Sequence, residues 1–206
     1  MTPSRRSHLI VAALAFVAFV ALFALVAPRN PPGWEIDVVE EATQLPEVVG
    51  WPLRLVMQLG RRALVPLLGL AVYLVYRRAP PAIAIVVAGF ATGQTVDLLK
   101  DWASRARPDG VRVHEDADGL GFPSGHSAVA WALAAVVASQ LPTRWRWLPF
   151  LVATMVAVAR INAGVHYPLD VVGGSLWGLA VGSLVVAAGG IDLGPSCDEP
   201  VRPGSP

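Results

Sequence analysis

"LPFLVATMVAVARINAGVHYPLD", residues 148–170, decides what kind of chain this is. Its first half reads as an apolar membrane helix. Its second half, from Ala159, sets Arg160, His166 and Asp170 at the edge of that span. Charge at a membrane boundary is costly, so three ionisable groups this close together point to a site. Taken singly, Arg160 reads as a snorkelling interfacial arginine and His166 as a helix-end residue with no special role. The remainder of the chain reverses that reading.

The surrounding sequence is equally apolar. Of 206 residues, 54% are hydrophobic and 15% charged, where soluble domains carry about 25% charge. Leu9 to Ala27 supplies nineteen residues without a charge, about what one crossing of the hydrocarbon core needs. Arg5 and Arg6 precede this block as they do in secretory signals. The apolar run is longer than such signals use, however, and Pro28 follows Ala27 directly, so a retained anchor is expected. The net charge of +1 offers no electrostatic footprint for nucleic acid. The lone Cys197 excludes an internal disulfide. Abundant Ala, Val, Gly, Pro and Arg beside a single Lys is the composition of GC-rich bacterial proteins.

The expected fold is all-α: an integral-membrane, six-helix transmembrane bundle forming one domain over residues 1–190. Its spans are expected near 8–27, 62–77, 80–99, 126–141, 147–163 and 169–189. Between the first two lies a connection that opens with Pro and Gly and then carries five acids, with Trp51 to Leu59 expected at the membrane interface. Residues 191–206 have the composition of a disordered tail. Arginine pairs in "RRAPP" and "PTRWRW", together with Arg5 and Arg6, set the N-terminus and those turns on the cytoplasmic side. Arg29, Arg54, Arg61, Arg62, Arg105 and Arg112 lie on the opposite side and weaken that bias.

Span parity brings the polar residues together. "KDWASRARPDGVRVHEDADGLGFPSGH", residues 100–126, leaves the membrane after the third span and re-enters at the fourth. The fifth span ends at Arg160 and the sixth begins near Asp170. Lys100, Arg107, Ser124, His126, Arg160, His166 and Asp170 therefore share one face of the membrane, whichever way the chain inserts. Arginine forks match phosphate oxygens bidentately and lysine adds a point charge. "PSGH" offers a helix start whose free N–H groups suit an anion, with Gly125 permitting close approach and Ser124 adding a hydroxyl.

His166 and Asp170 are four residues apart and share a helix face. A carboxylate there can hold one ring nitrogen and leave the other free to attack. His126, from across the pocket, can donate a proton to a leaving oxygen. Two histidines, one orienting carboxylate and three cations describe phosphoryl transfer through a phosphohistidine.

These residues carry a resemblance. "KDWASRARP", "PSGH" and "RINAGVHYPLD" resemble, in order and spacing, the three signature elements of the type 2 phosphatidic acid phosphatase superfamily, which shares its site with vanadium haloperoxidases. The likeness covers roughly residues 60–190. It implies His166 as nucleophile, Asp170 as its partner and His126 as general acid. It implies Lys100, Arg107, Ser124, Gly125 and Arg160 as phosphate ligands, with no metal and no cofactor. One departure is Ala159, where the family commonly has Ser.

The function so implied is hydrolysis of a membrane lipid phosphate or pyrophosphate, such as undecaprenyl pyrophosphate, phosphatidate or phosphatidylglycerol phosphate. A cytoplasmic N-terminus puts the site on the extracytoplasmic face of the plasma membrane. The alternatives are transfer to a sugar or lipid acceptor with the same residues, and non-catalytic lipid binding. Oligomeric state is not legible. Asp97 is expected to pair with Lys100 or an arginine. Asp101, Arg105, Arg112, His114, Glu115, Asp116 and Asp118 are expected on a solvated loop face, with Arg105 as a possible contact for a second phosphate. Trp102 and Trp131 read as interfacial or packing aromatics.

Overall fold

The computed structural model describes residues 3–26, 30–115 and 117–191. The expected tail beyond Ile191, with Cys197, lies outside the described residues, as do Pro28, Arg29 and Asp116. Among the described residues, eight α-helices make up the fold: α1 (Pro3–Val26), α2 (Gly33–Thr43), α3 (Glu47–Met57), α4 (Val65–Tyr76), α5 (Ala79–Ala103), α6 (Gly125–Ser139), α7 (Leu148–Asn162) and α8 (Pro168–Gly189). No strand occurs among the described residues.

Each of the six expected spans coincides with a helix, α1 and α4 through α8. Among the described residues, α1, α5 and α8 are individually long and apolar enough to cross a membrane. The expected second span is the one the structure revises. It is α4, twelve residues long, joined to α3 through short 3-10 turns at Gln58–Gly60 and Arg62–Leu64, with a 62° bend between the two arms. The acidic connection before it is helical too, forming α2 and α3. The third span runs one turn further than expected, to Ala103, so Lys100 is a helical residue. α6 has fifteen residues. At 1.5 Å per residue it is about 22 Å long, shorter than a hydrocarbon core of about 30 Å.

What sets the site in register is the packing of α6 on α8. Gly174, Gly178 and Gly182 recur every four residues along one face of α8. A Cβ on any of them would run into a carbonyl oxygen of α6, of Ser124, Ala128 and Ala132 in turn. Small residues at that spacing let two helix backbones touch, which is how helices associate where lipid removes the hydrophobic drive. α1 covers the other side of α8 through Phe19, Phe23, Phe122 and Trp177, with the Phe19 and Phe122 rings stacked 6.1 Å apart. Val65, Ala84, Ile85, Ala88, Val129 and Val136 fill the space among α4, α5 and α6. Large apolar side chains such as Leu14 (66% exposed) and Val17 (64%) face outward from α1, as a lipid-facing surface requires.

Candidate active site

A cavity of about 330 Å³ opens at the end of the bundle where α5 stops and α6 and α8 start. Its wall includes Lys100 from α5, Gly125 and His126 from the first turn of α6, Arg160 from the last turn of α7, and Arg107 and His166 from connecting segments. Six of the eight expected site residues therefore line one cavity. The other two sit behind it. Ser124 is wholly buried as the N-cap of α6; its hydroxyl accepts from Ser127 Oγ at 3.2 Å and its N–H donates to the Asp170 carbonyl at 2.9 Å. Its backbone packs against Gly174 of α8. Asp170 is also wholly buried, behind His166.

Local structure explains how His166 is presented. α7 ends at Asn162, and the chain reverses through Gly164 at φ +74°, a left-handed conformation that glycine adopts without strain. A Cβ there would also meet the Arg112 carbonyl. Pro168 then starts α8, and the Tyr167 N–H donates to Asp170 Oδ2 at 2.9 Å. The carboxylate thus caps the helix that carries it and faces the imidazole one turn away.

His166 is almost completely buried. Its Nδ1 lies 3.5 Å from Asp170 Oδ2 and its Nε2 lies 3.2 Å from Arg107 Nη1. A guanidinium can only donate. Nε2 therefore accepts, the ring proton sits on Nδ1 facing the carboxylate, and the Nε2 lone pair points toward the cavity cations. Burial, then Arg160, Arg107 and Lys100, hold the His166 pKa well below the ordinary imidazole value. The ring is neutral at pH 7.

The cations are fixed before any ligand arrives. Arg107 donates to the carbonyls of Asp118, Gly119 and Val165 at 2.8–3.3 Å. Arg160, 3% exposed, donates to Glu115 Oε2 at 2.8 Å and to Met57 Sδ at 3.4 Å. His126 Nε2, Arg160 Nε and His166 Nδ1 are buried without a hydrogen-bond partner among the described residues. No group of three or more His, Cys, Asp or Glu side chains with metal-holding geometry occurs among the described residues.

Several expectations for the 104–124 connection are corrected. Arg105 is 4% exposed and bonded to Glu35 and Asp170, so it is neither on a solvated face nor at a second phosphate. Glu115 lines the cavity and bridges Arg160 to Arg61, each at 2.8 Å. His114 holds the Thr43 carbonyl at 3.0 Å. Asp101, Arg112 and Asp118 are exposed as expected. Asp97 pairs with Arg62 through two bonds of 2.6 Å, an arginine and not Lys100. Trp102 is exposed and Trp131 packs on Phe150.

Sequence reasoning missed Glu35, Gly60, Arg61 and Arg62. All four lie in or beside the unread acidic connection, and the arginines there resemble ordinary span-end anchors.

The fold and cavity define a helical membrane protein with a pocket walled by Arg61, Arg62, Lys100, Arg107 and Arg160. The pattern of the PAP2 superfamily matches residues 81–190, just over half the chain. The chain belongs to that superfamily. It is 37% identical over 102 residues to phosphatidylglycerophosphatase B of Bacillus subtilis, covering 43% of this chain and 48% of that protein. It is 38% identical over 98 residues to decaprenylphosphoryl-5-phosphoribose phosphatase of Mycobacterium tuberculosis, covering 45% of this chain and 52% of that protein. The chain thus spans about half the length of the curated relatives it matches. A crystal structure of a transmembrane PAP2-type phosphatidylglycerolphosphate phosphatase from Bacillus subtilis superimposes with a TM-score of 0.73. That superposition covers 84% of this chain and 93% of that one at 21% identity, a likeness of fold.

Proposed function

We propose that this chain hydrolyses a lipid phosphate or pyrophosphate at the membrane surface through a phosphohistidine. The observation that carries the reading is the pairing at His166: Arg107 donates to Nε2 while Asp170 faces Nδ1. This leaves an oriented neutral imidazole pointing into a cavity walled by cations. Arg107 Nη1 passes its hydrogen bond from Nε2 to a phosphate oxygen, and the freed Nε2 lone pair attacks phosphorus, forming the N–P bond as the P–O bond to the leaving group breaks. Protonated His126 gives its proton to that oxygen. Water then attacks phosphorus, His126 takes its proton, and the N–P bond returns its electrons to Nε2. Lys100, Arg107 and Arg160 balance charge on the equatorial oxygens, and the Gly125 N–H at the start of α6 adds a donor.

Side chains and the Gly125 N–H fill every role in this scheme, and none is assigned to a metal. The hydrocarbon tail stays in lipid while the headgroup enters at the membrane end where α5 stops. With the arginine-rich turns cytoplasmic, the cavity faces the extracytoplasmic side of the plasma membrane, which suits recycling of a carrier lipid of the cell envelope. The phosphatase names of the relatives support a lipid phosphate as the substrate class.

The test is phosphate release by purified full-length protein in detergent from phosphatidate, phosphatidylglycerophosphate and undecaprenyl diphosphate, with EDTA present. Release from at least one, insensitive to EDTA, is expected. Release from none of them sinks the proposal.

A further inference from the structure

Behind His166 runs a buried chain of charges that the proposed chemistry does not touch directly. Arg105 Nη1 donates to Asp170 Oδ1 at 2.7 Å, and Arg105 Nη2 donates to Glu35 Oε2. The other oxygen of Glu35 accepts the Leu169 N–H at the start of α8, at 2.8 Å. Glu35 and Asp170 are wholly buried, Arg105 is 4% exposed, and its guanidinium lies 5.1 Å from the Tyr167 ring centroid. Glu35 does not line the cavity. It also lies outside the residues that match the family pattern.

Two carboxylates and one guanidinium in one dry cluster carry a net charge of −1. Such a cluster is expensive to desolvate, and apolar residues of equal volume would often be as stable. Its approach to the cavity is through Asp170, whose Oδ2 lies 3.5 Å from His166 Nδ1. The imidazole faces Arg107 from the 104–124 connection, Arg160 from α7, Lys100 from α5 and His126 from α6, with Asp170 of α8 behind it. When Nε2 attacks, the ring gains positive charge in a pocket already crowded with cations. Asp170 paired with Arg105 alone would be a neutral couple; Glu35 restores one negative charge to that side. The Arg105 fork also takes Oδ1, while Oδ2 accepts the Tyr167 N–H and lies 3.5 Å from His166 Nδ1.

We infer that Glu35 is a positioning residue for the reaction, acting through Arg105 to hold Asp170 in place and to keep negative charge behind the nucleophile. The inference rests on the proposed role of His166.

The experiment measures kcat, KM and the pH profile of kcat/KM for the wild type, Glu35→Gln, Glu35→Asp and His166→Ala. It uses the full chain in detergent and whichever of the three lipid phosphates the wild type hydrolyses fastest. Glu35→Gln is expected to lower kcat about tenfold with KM within about twofold, since no substrate contact is lost. Its acid limb should move to lower pH, because removing negative charge weakens proton binding at His166. Glu35→Asp keeps the charge and should recover part of kcat with the limb near its wild-type position. Wild-type kcat in Glu35→Gln overturns the inference, and so does a kcat loss with an unmoved limb that merely tracks loss of folded protein. Should Glu35→Gln not fold, Glu35→Asp decides: a lower kcat at unchanged KM supports the inference and a wild-type kcat overturns it. Activity surviving in His166→Ala sinks the nucleophile reading itself. An inert His166→Ala beside an unaffected Glu35→Gln sinks only the role of Glu35.

Discussion

Two glutamates on neighbouring helices of the N-terminal segment show how differently this fold uses the same side chain. Glu47, at the start of α3, pairs with Arg54 seven residues on, and its side chain is 61% exposed. Glu35, in the first turn of α2, pairs with Arg105 seventy residues away and is wholly buried. The first is a local surface pair, screened by solvent and of little consequence. The second joins α2 to the start of the 104–124 connection and to the start of α8, in a place where an unpaired charge cannot be tolerated. The same contrast holds at larger scale. Residues 100–170 supply most of the cavity wall, and residues 33–62 supply partners for Arg105, Asp97 and Arg160.

The comparison breaks first at the reacting groups. His166→Ala should lower phosphate release by roughly 10⁴-fold or more, measured as kcat on the best lipid phosphate; a modest loss would move the chemistry elsewhere. Arg160→Ala removes a buried cation from the developing charge, and a loss of kcat on the order of 10²–10³-fold is expected in the same assay. The α6–α8 contact can be attacked without touching the cavity. Gly178→Val sets a branched side chain against the Ala128 carbonyl and should cost about 1–3 kcal/mol, visible as a lower unfolding midpoint in detergent.

The buried imidazole makes a prediction about pH. The pKa of His166 is lowered in the folded state while the unfolded chain titrates near about 6.5. Below that value the unfolded state takes up a proton that the folded state refuses, so stability present at neutral pH is lost as pH falls. The thermal midpoint should drop below about pH 6.5, and the drop should be smaller in His166→Gln. The smallest effect belongs to the surface pair. Glu47→Gln should leave phosphate release unchanged and the midpoint within about 2 °C; a large effect would erase the distinction between the two glutamates.

The apolar blocks made the six helices legible because hydrocarbon demands long uncharged runs, and parity followed from their count. The motif residues were legible because Lys100, Arg107, His126, Arg160, His166 and Asp170 sit at or beside helix ends that lie on one face. Glu35 was not, since it is one acid among five in a polar stretch and its partner Arg105 looked like a loop arginine. Glu115 failed for a related reason. Loop position suggests solvent, and only the return of the 104–124 connection over the cavity, held by the His114 N–H on the Ala163 carbonyl at 3.0 Å, brings it to Arg160. Ser124 sits at the helix start as expected, and its burial and its bond from Ser127 Oγ were not legible.

By itself the sequence determined the membrane setting, the six apolar helices and six of the eleven residues that line the cavity, because each depends on local composition and short spacing. Tertiary structure alone decided which charges are buried and whom they face. Burial and pairing arise from contacts between segments far apart in the chain, and that distance sets the protonation of His166 and the partner of Asp170.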